Sequence, residues 1–119
     1  DTVVALGARI YGKPASADDA RATLEALGGR RHTVVSGVCV FSDGRARSAV
    51  ASTVVEFRAL GPALLDWYLA SEEWRERAGG YAIQGRGAAF VERIEGDYFN
   101  VVGLPVPTLL ELVPSLLAD

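Results

Sequence analysis

HTVVSGVCVFSDGRARSAVASTVVEF, residues 32–57, decides the fold. Two runs dense in β-branched residues flank Ser42-Asp43-Gly44-Arg45, and Asp-Gly between such runs is a strong hairpin signal. Residues 33–41 and 46–58 should therefore pair antiparallel. Upstream, DTVVAL reads as a strand, and GARIYGKP as a turn, a short return strand and a loop that Pro14 ends. Ser16 with Asp19 three residues on resembles a capping box with a shorter acid, and Ala20, Leu24 and Leu27 recur at helical spacing until Gly28-Gly29. The spacing predicts a helix over 17–27. Pro62 suits a first helical turn, and Leu64, Leu65, Tyr68 and Leu69 give an apolar face to about Ser71, with EEWRERAGG extending or restarting that helix. AAFVERIEGDYFNVVG alternates as a strand, a turn at Glu95–Asp97 and a second extended piece; from Pro105 a last helix runs until Pro114 kinks or ends it. These elements predict an α/β protein, a mixed twisted sheet flanked by helices, in one domain spanning 1–119.

Composition narrows the function. The 119 residues are 50% hydrophobic and 23% charged, a globular balance. VVGLPVPTLLELV is interrupted by Pro105, Pro107 and Glu111, so it falls short of the roughly 20 apolar residues that a membrane span needs. No basic-then-apolar leader opens the sequence, so the cytoplasm is the expected location. A net charge of −3 argues against a nucleic-acid polymer as partner while leaving room for a cationic pocket that takes a small phosphorylated ligand. The lone cysteine, Cys39, reads as a buried strand residue rather than a nucleophile, because no partner for a thiolate adjoins it. Of the 12 basic residues, only Lys13 is a lysine.

Asp1, Thr2 and Lys13 bring a carboxylate, a hydroxyl and an ammonium to one hairpin-like unit. Such a set can position a water or a divalent cation beside a phosphate; a solvated strand end with a surface lysine is the plainer alternative. GGYAIQGRG, residues 79–87, places four glycines around Gln84, whose amide both donates and accepts and so can match the edge of a base. The glycines would let backbone approach a flat ligand, or they form an ordinary turn. No GK[ST] follows, which disfavours a P-loop. Arg75 and Arg77 could fork onto phosphate oxygens or lie exposed on a helix. Arg30, Arg31 and His32 form a basic run after a helix C-terminus, and a single histidine makes neither a triad nor a zinc site. Glu92, Glu95 and Asp97 are close in sequence, but turn chemistry accounts for them better than a metal does.

Taken in order, DTVV, GKP, the Ser36-Gly37 pair, AGGYAIQGRGAAFVERIEGDYFNVVGLP and a closing Leu-rich helix resemble the Maf family of nucleoside triphosphate pyrophosphatases. The resemblance implies an inosine-triphosphatase-like α/β fold and hydrolysis of a nucleoside triphosphate to monophosphate and pyrophosphate with Mg or Mn. It implies that Asp1 is the proton acceptor that activates water, that Lys13 lies at the phosphates, and that Thr2 and Gln84 bear on substrate choice. YAIQG resembles the dTTP/UTP branch rather than the 7-methyl-GTP branch. Many members carry lysine where Arg77 stands, so Arg77 is carried over by its charge. The family's N-terminal Ser-x-Ser-Pro-Arg-Arg segment has no counterpart here, so the chain corresponds to the C-terminal portion of the family domain, N-terminally truncated. Loss of those phosphate contacts predicts weak turnover by the isolated chain. A homodimer is expected on the same resemblance. The rival reading is a non-catalytic nucleotide-binding or dimerisation module.

Overall fold

A computed structural model describes residues 2–103 and 106–113. The hairpin is its spine: β3 (Arg31–Ser42) and β4 (Arg45–Phe57) pair antiparallel in unbroken register from Arg31↔Glu56 to Ser42↔Arg45. Asp43 and Gly44 join them with φ of 52° and 73°, the doubly left-handed turn whose twist matches the strands. β1 (Thr2–Leu6) lies beside β3, β2 (Arg9–Tyr11) beyond it, and β5 (Val91–Glu95) along β4, giving the order β2-β1-β3-β4-β5. The α/β class and helix-flanked sheet expected from the sequence are present. The four pairings among the described residues are all antiparallel rather than mixed.

α1 (Ala17–Leu27) begins at Ser16, whose Oγ accepts from the Asp19 N–H at 3.1 Å while the Asp19 carboxylate accepts from the Ala15 N–H at 2.8 Å. The short acid thus reaches back one residue beyond the cap. α2 (Pro62–Ala70) has Pro62 in its first turn. The expected extension of α2 is absent: Glu72 and Glu76 take φ of 58° and 59°, which no helix continues through, and turns lead to a 3-10 turn at Ala78–Gly80. The second extended piece expected after Asp97 is instead a helix, α3 (Tyr98–Val102). Asp97 caps it by accepting from the Phe99 N–H at 2.9 Å, Gly103 ends it with φ 118°, and Asn100 points into the protein. α4 (Val106–Leu112) lies against β3 and β4, and its expected end at Pro114 lies outside the described residues.

In an antiparallel pair, directly opposed residues share a face. Val4, Val34 and Thr53 form one buried row, and His32 with Val55 another; the core continues through Leu24, Leu27, Leu65, Tyr68, Trp74 and Phe90. Among the described residues neither β1 nor β5 pairs with the hairpin beyond Gly37; α4 lies along this outer half, where Arg47 donates to the Leu112 carbonyl at 3.1 Å, and the face that carries Cys39 and Phe41 meets solvent. Phe41 is 79% exposed and Cys39 is exposed too, which corrects the buried strand position read from the sequence. A strand residue is buried only where something covers its face.

Candidate functional site

Four of the side chains singled out from the sequence line one cavity of about 270 Å³: Thr2, Lys13, Arg77 and Gln84. Asp1 lies outside the described residues. Thr2 opens β1, and its Oγ1 is 2.9 Å from the Oγ of Ser36, buried in the neighbouring strand. Ser36 thus holds Thr2 without lining the cavity, a supporting role that reading for chemistry missed, although it stands in the Ser36-Gly37 pair that carries the resemblance. Lys13 sits on the loop after β2, its Nζ 3.4 Å from the Glu76 carboxylate. Both ends of this ion pair are well exposed, so it holds Lys13 only weakly and leaves the ammonium open to a better anion. Arg77 leads into the 3-10 turn on the same rim. Arg75 does not join them; it pairs with Glu72 at 2.8 Å and stacks over Trp74. Nor do the carboxylates of 92–97 gather: Glu95 binds Arg31 and Arg93, and Asp97 caps α3.

The glycines of residues 79–87 make room for the protein's own chain rather than for a ligand. A Cβ at Gly79, where φ is 72°, would stand 2.7 Å from Val4 Cγ2, so the 3-10 turn can close over β1 only with glycine there. At Gly85 a Cβ would land on the Glu73 carboxylate, and at Gly87 it would meet the Ala82 backbone. The Gly85 N–H donates to the Ala82 carbonyl at 3.1 Å, so residues 82–85 form a turn with Ile83 and Gln84 at its tip. Among the described residues no hydrogen bond engages the Gln84 amide. It is exposed at the cavity wall, with a donor and an acceptor open to a ligand.

Beneath this loop, Tyr81 lines the cavity and its hydroxyl lies 2.7 Å from His32 Nε2. His32 is 1% exposed, with Phe57 and Tyr81 edge-on to its ring. Burial lowers its pKa to about 4, so the ring is neutral near pH 7. Burial likewise raises the Tyr68 and Tyr81 hydroxyls above their ordinary range. The sequence placed His32 in a basic run after a helix C-terminus; its burial was signalled only by its place in the alternating core face of β3.

The cavity lining therefore offers two cations, the Glu76 carboxylate, an exposed carboxylamide, a hydroxyl on its sheet side and an apolar surface at Val4 and Val34. Such an arrangement can take a ligand with an anionic part and a hydrogen-bonding flat part.

Comparison with known proteins agrees in kind. The family model described as Maf-like protein matches residues 1–116. A dTTP/UTP pyrophosphatase of Sphingopyxis alaskensis is 53% identical over 117 residues, covering 98% of this chain and 62% of that protein. One from Pyrococcus abyssi is 47% identical over 113 residues, covering 95% and 60%. One from Anaeromyxobacter dehalogenans is 50% identical over 110 residues, covering 89% and 57%. The chain thus spans about 60% of the length of curated relatives it matches. With nearly every residue inside the family match and the matched segments converging on one cavity, the chain belongs to the Maf family.

Proposed function

We propose that this chain supplies the base-reading side, and part of the phosphate-binding side, of a cytoplasmic pyrophosphatase that hydrolyses dTTP and UTP to the monophosphate and pyrophosphate. The observation that carries the reading is the convergence of Thr2, Lys13, Arg77 and Gln84, from separate segments, on one cavity. The names of the relatives support the same substrate class. Gln84 would read the imide edge of a uracil or thymine ring, its carbonyl accepting from the ring N–H and its amide donating to a ring carbonyl. Thr2, tied to Ser36, would fix the opposite side of the ligand. Lys13 and Arg77 would offset charge on the phosphoryl oxygens, where charge-assisted hydrogen bonds are the strong ones. Asp1 would take the proton of the attacking water.

A divalent cation is implied by the family resemblance. Among the described residues, Glu76 is the only carboxylate lining the cavity, and no three His, Cys, Asp or Glu side chains cluster as ligands. These residues alone do not fit a resident cation, and the roles above are those of protein groups. A homodimer belongs to the same reading, and light scattering on the purified protein tests it.

Relative kcat/KM across dTTP, UTP, CTP and 7-methyl-GTP tests the substrate class. dTTP and UTP should lead. Gln84→Glu, which replaces the donating half of the amide by a second acceptor, should cut that lead about tenfold, the worth of one specific hydrogen bond. A lead for 7-methyl-GTP would overturn the pyrimidine reading. Tight nucleotide binding without pyrophosphate release, unchanged in Asp1→Asn, would mark a binding module instead.

A further inference from the structure

Gln84 discriminates only while the peptide groups beside it are held fixed. A carboxylamide that turns over presents the mirrored donor–acceptor pair, and so fits the cytosine edge as well as the uracil edge. Discrimination needs groups that cannot turn over, and the peptide groups at the tip of a held turn are such groups. Ile83 and Gln84 occupy that tip on the cavity wall, and among the described residues neither residue's N–H or C=O enters a turn or loop hydrogen bond.

Both ends of the turn are held by side chains from one neighbouring segment. At its entry the Ala82 N–H donates to the Tyr68 hydroxyl at 3.1 Å. At its exit the Glu73 carboxylate accepts from two successive amides, Arg86 N–H at 3.0 Å and Gly87 N–H at 3.1 Å, one on each oxygen. Successive amides converging on an anion form a nest, the kind of site that elsewhere binds phosphate; here the protein fills it with its own carboxylate. Gly85 belongs to the same device, since any Cβ there would displace that carboxylate.

We infer that Glu73 is a positioning residue for base selection: its carboxylate, locked onto the Arg86 and Gly87 amides, fixes the turn whose tip peptides and Gln84 read the pyrimidine edge. The inference rests on the pyrimidine-nucleotide reading above and adds to it a residue that does not line the cavity. The Glu73–amide bonds are charge-assisted, so the clamp is stronger than a neutral turn contact. A looser turn lets the reading groups follow whichever edge is offered, and preference falls while the phosphate contacts at Lys13 and Arg77 stay as they were.

The test compares the parent with Glu73→Gln, Glu73→Ala, Gln84→Ala and the Glu73→Ala/Gln84→Ala pair. Amide hydrogen exchange at Arg86 and Gly87 reads the clamp; kcat and KM for UTP and CTP read selection. Glu73→Ala should speed exchange at both amides and lower the UTP-over-CTP preference about tenfold, through KM more than kcat. Glu73→Gln, which keeps one accepting oxygen, should fall between, and it carries the test if Glu73→Ala does not fold. In the Gln84→Ala background the Glu73 effect on preference should shrink to less than half, because the two residues act on one reading. Faster exchange with unchanged preference would leave Glu73 a structural residue only and overturn the inference. Unchanged exchange would remove the clamp itself. A parent that does not prefer UTP over CTP would sink the substrate reading first and this inference with it, whereas a parent preference that survives Glu73→Ala sinks this inference alone.

Discussion

The two walls of the cavity are built differently. The sheet wall, carrying Thr2, Val4 and Val34, is held by strand ladders on both sides: β1 lies between β2 and β3, and β3 between β1 and β4. The loop wall, residues 76–84, has no ladder. It is pinned at points, by the Gly79 N–H to the Gly12 carbonyl at 3.1 Å, by Tyr68 on Ala82 and by Glu73 just beyond. A ladder spreads its load over many equivalent bonds, so the sheet wall should answer a substitution through lost packing energy. A wall held at points should answer through lost geometry, with modest cost in stability.

The largest effect is expected where the walls meet. Phe57 is 1% exposed and packs ring to ring with His32, Tyr81 and Phe90 at 4.7, 4.8 and 5.6 Å. Phe57→Ala should cost about 3–5 kcal/mol in urea unfolding, the usual range for emptying a buried aromatic site. A loss below about 1 kcal/mol would mean that the two walls are stable apart, because so small a value is typical of surface changes.

His32 gives a second, pH-dependent view of the same junction. Its folded pKa, near 4, lies below the ordinary 6.5 because burial disfavours the imidazolium. Between those values the unfolded chain binds a proton that the folded chain does not, so stability falls as pH drops through this window and is fully present above it. The component amounts to about 3 kcal/mol by pH 4, at 1.36 kcal/mol per unit of pKa difference. Urea melts of the parent and of His32→Gln at pH 7, 5.5 and 4.5 isolate it: the parent should lose more than the variant as pH falls. Parallel losses would show that acid reaches the ring in the folded protein.

The same division explains what the sequence disclosed. Alternation and Asp43-Gly44 located the hairpin nearly to the residue, and Ser16 with Asp19 located α1, because these signals act within a few residues of where they are read. Thr2, Lys13, Arg77 and Gln84 were found by chemistry and by family pattern, and they do converge. What stayed hidden depends on distant partners. Cys39 stands on the face of β3 opposite His32, Val34 and Ser36, and which face of an apolar strand is covered is settled by distant packing, so its burial was misread. YFNVV has strand composition, and a single aspartate cap with a buried Asn100 made it a helix. Glu73 carries no local signal at all: folding sets it against amides 13 and 14 residues away.

The smallest expected effect separates frame from clamp within the loop wall. A methyl at Gly87 would stand 2.9 Å from the Ala82 carbonyl carbon, against backbone that the turn holds in place. Gly87→Ala should therefore cost about 2 kcal/mol, as overpacking does where nothing can yield. The three atoms nearest a methyl at Gly85 all belong to the Glu73 carboxylate, a side-chain end that can swing aside. Gly85→Ala should cost less, about 1–1.5 kcal/mol, since of the two hydrogen bonds it releases the one at Arg86 is exposed and the one at Gly87 only part-buried. The swing would nevertheless release the Arg86 and Gly87 amides, so Gly85→Ala should lose UTP-over-CTP preference out of proportion to its stability, while a folded Gly87→Ala loses the two together. Thermal melts and the preference ratio on both variants decide it. Equal stability costs would mean that the Glu73 carboxylate is as immovable as backbone, and that the loop wall, like the sheet wall, is frame throughout.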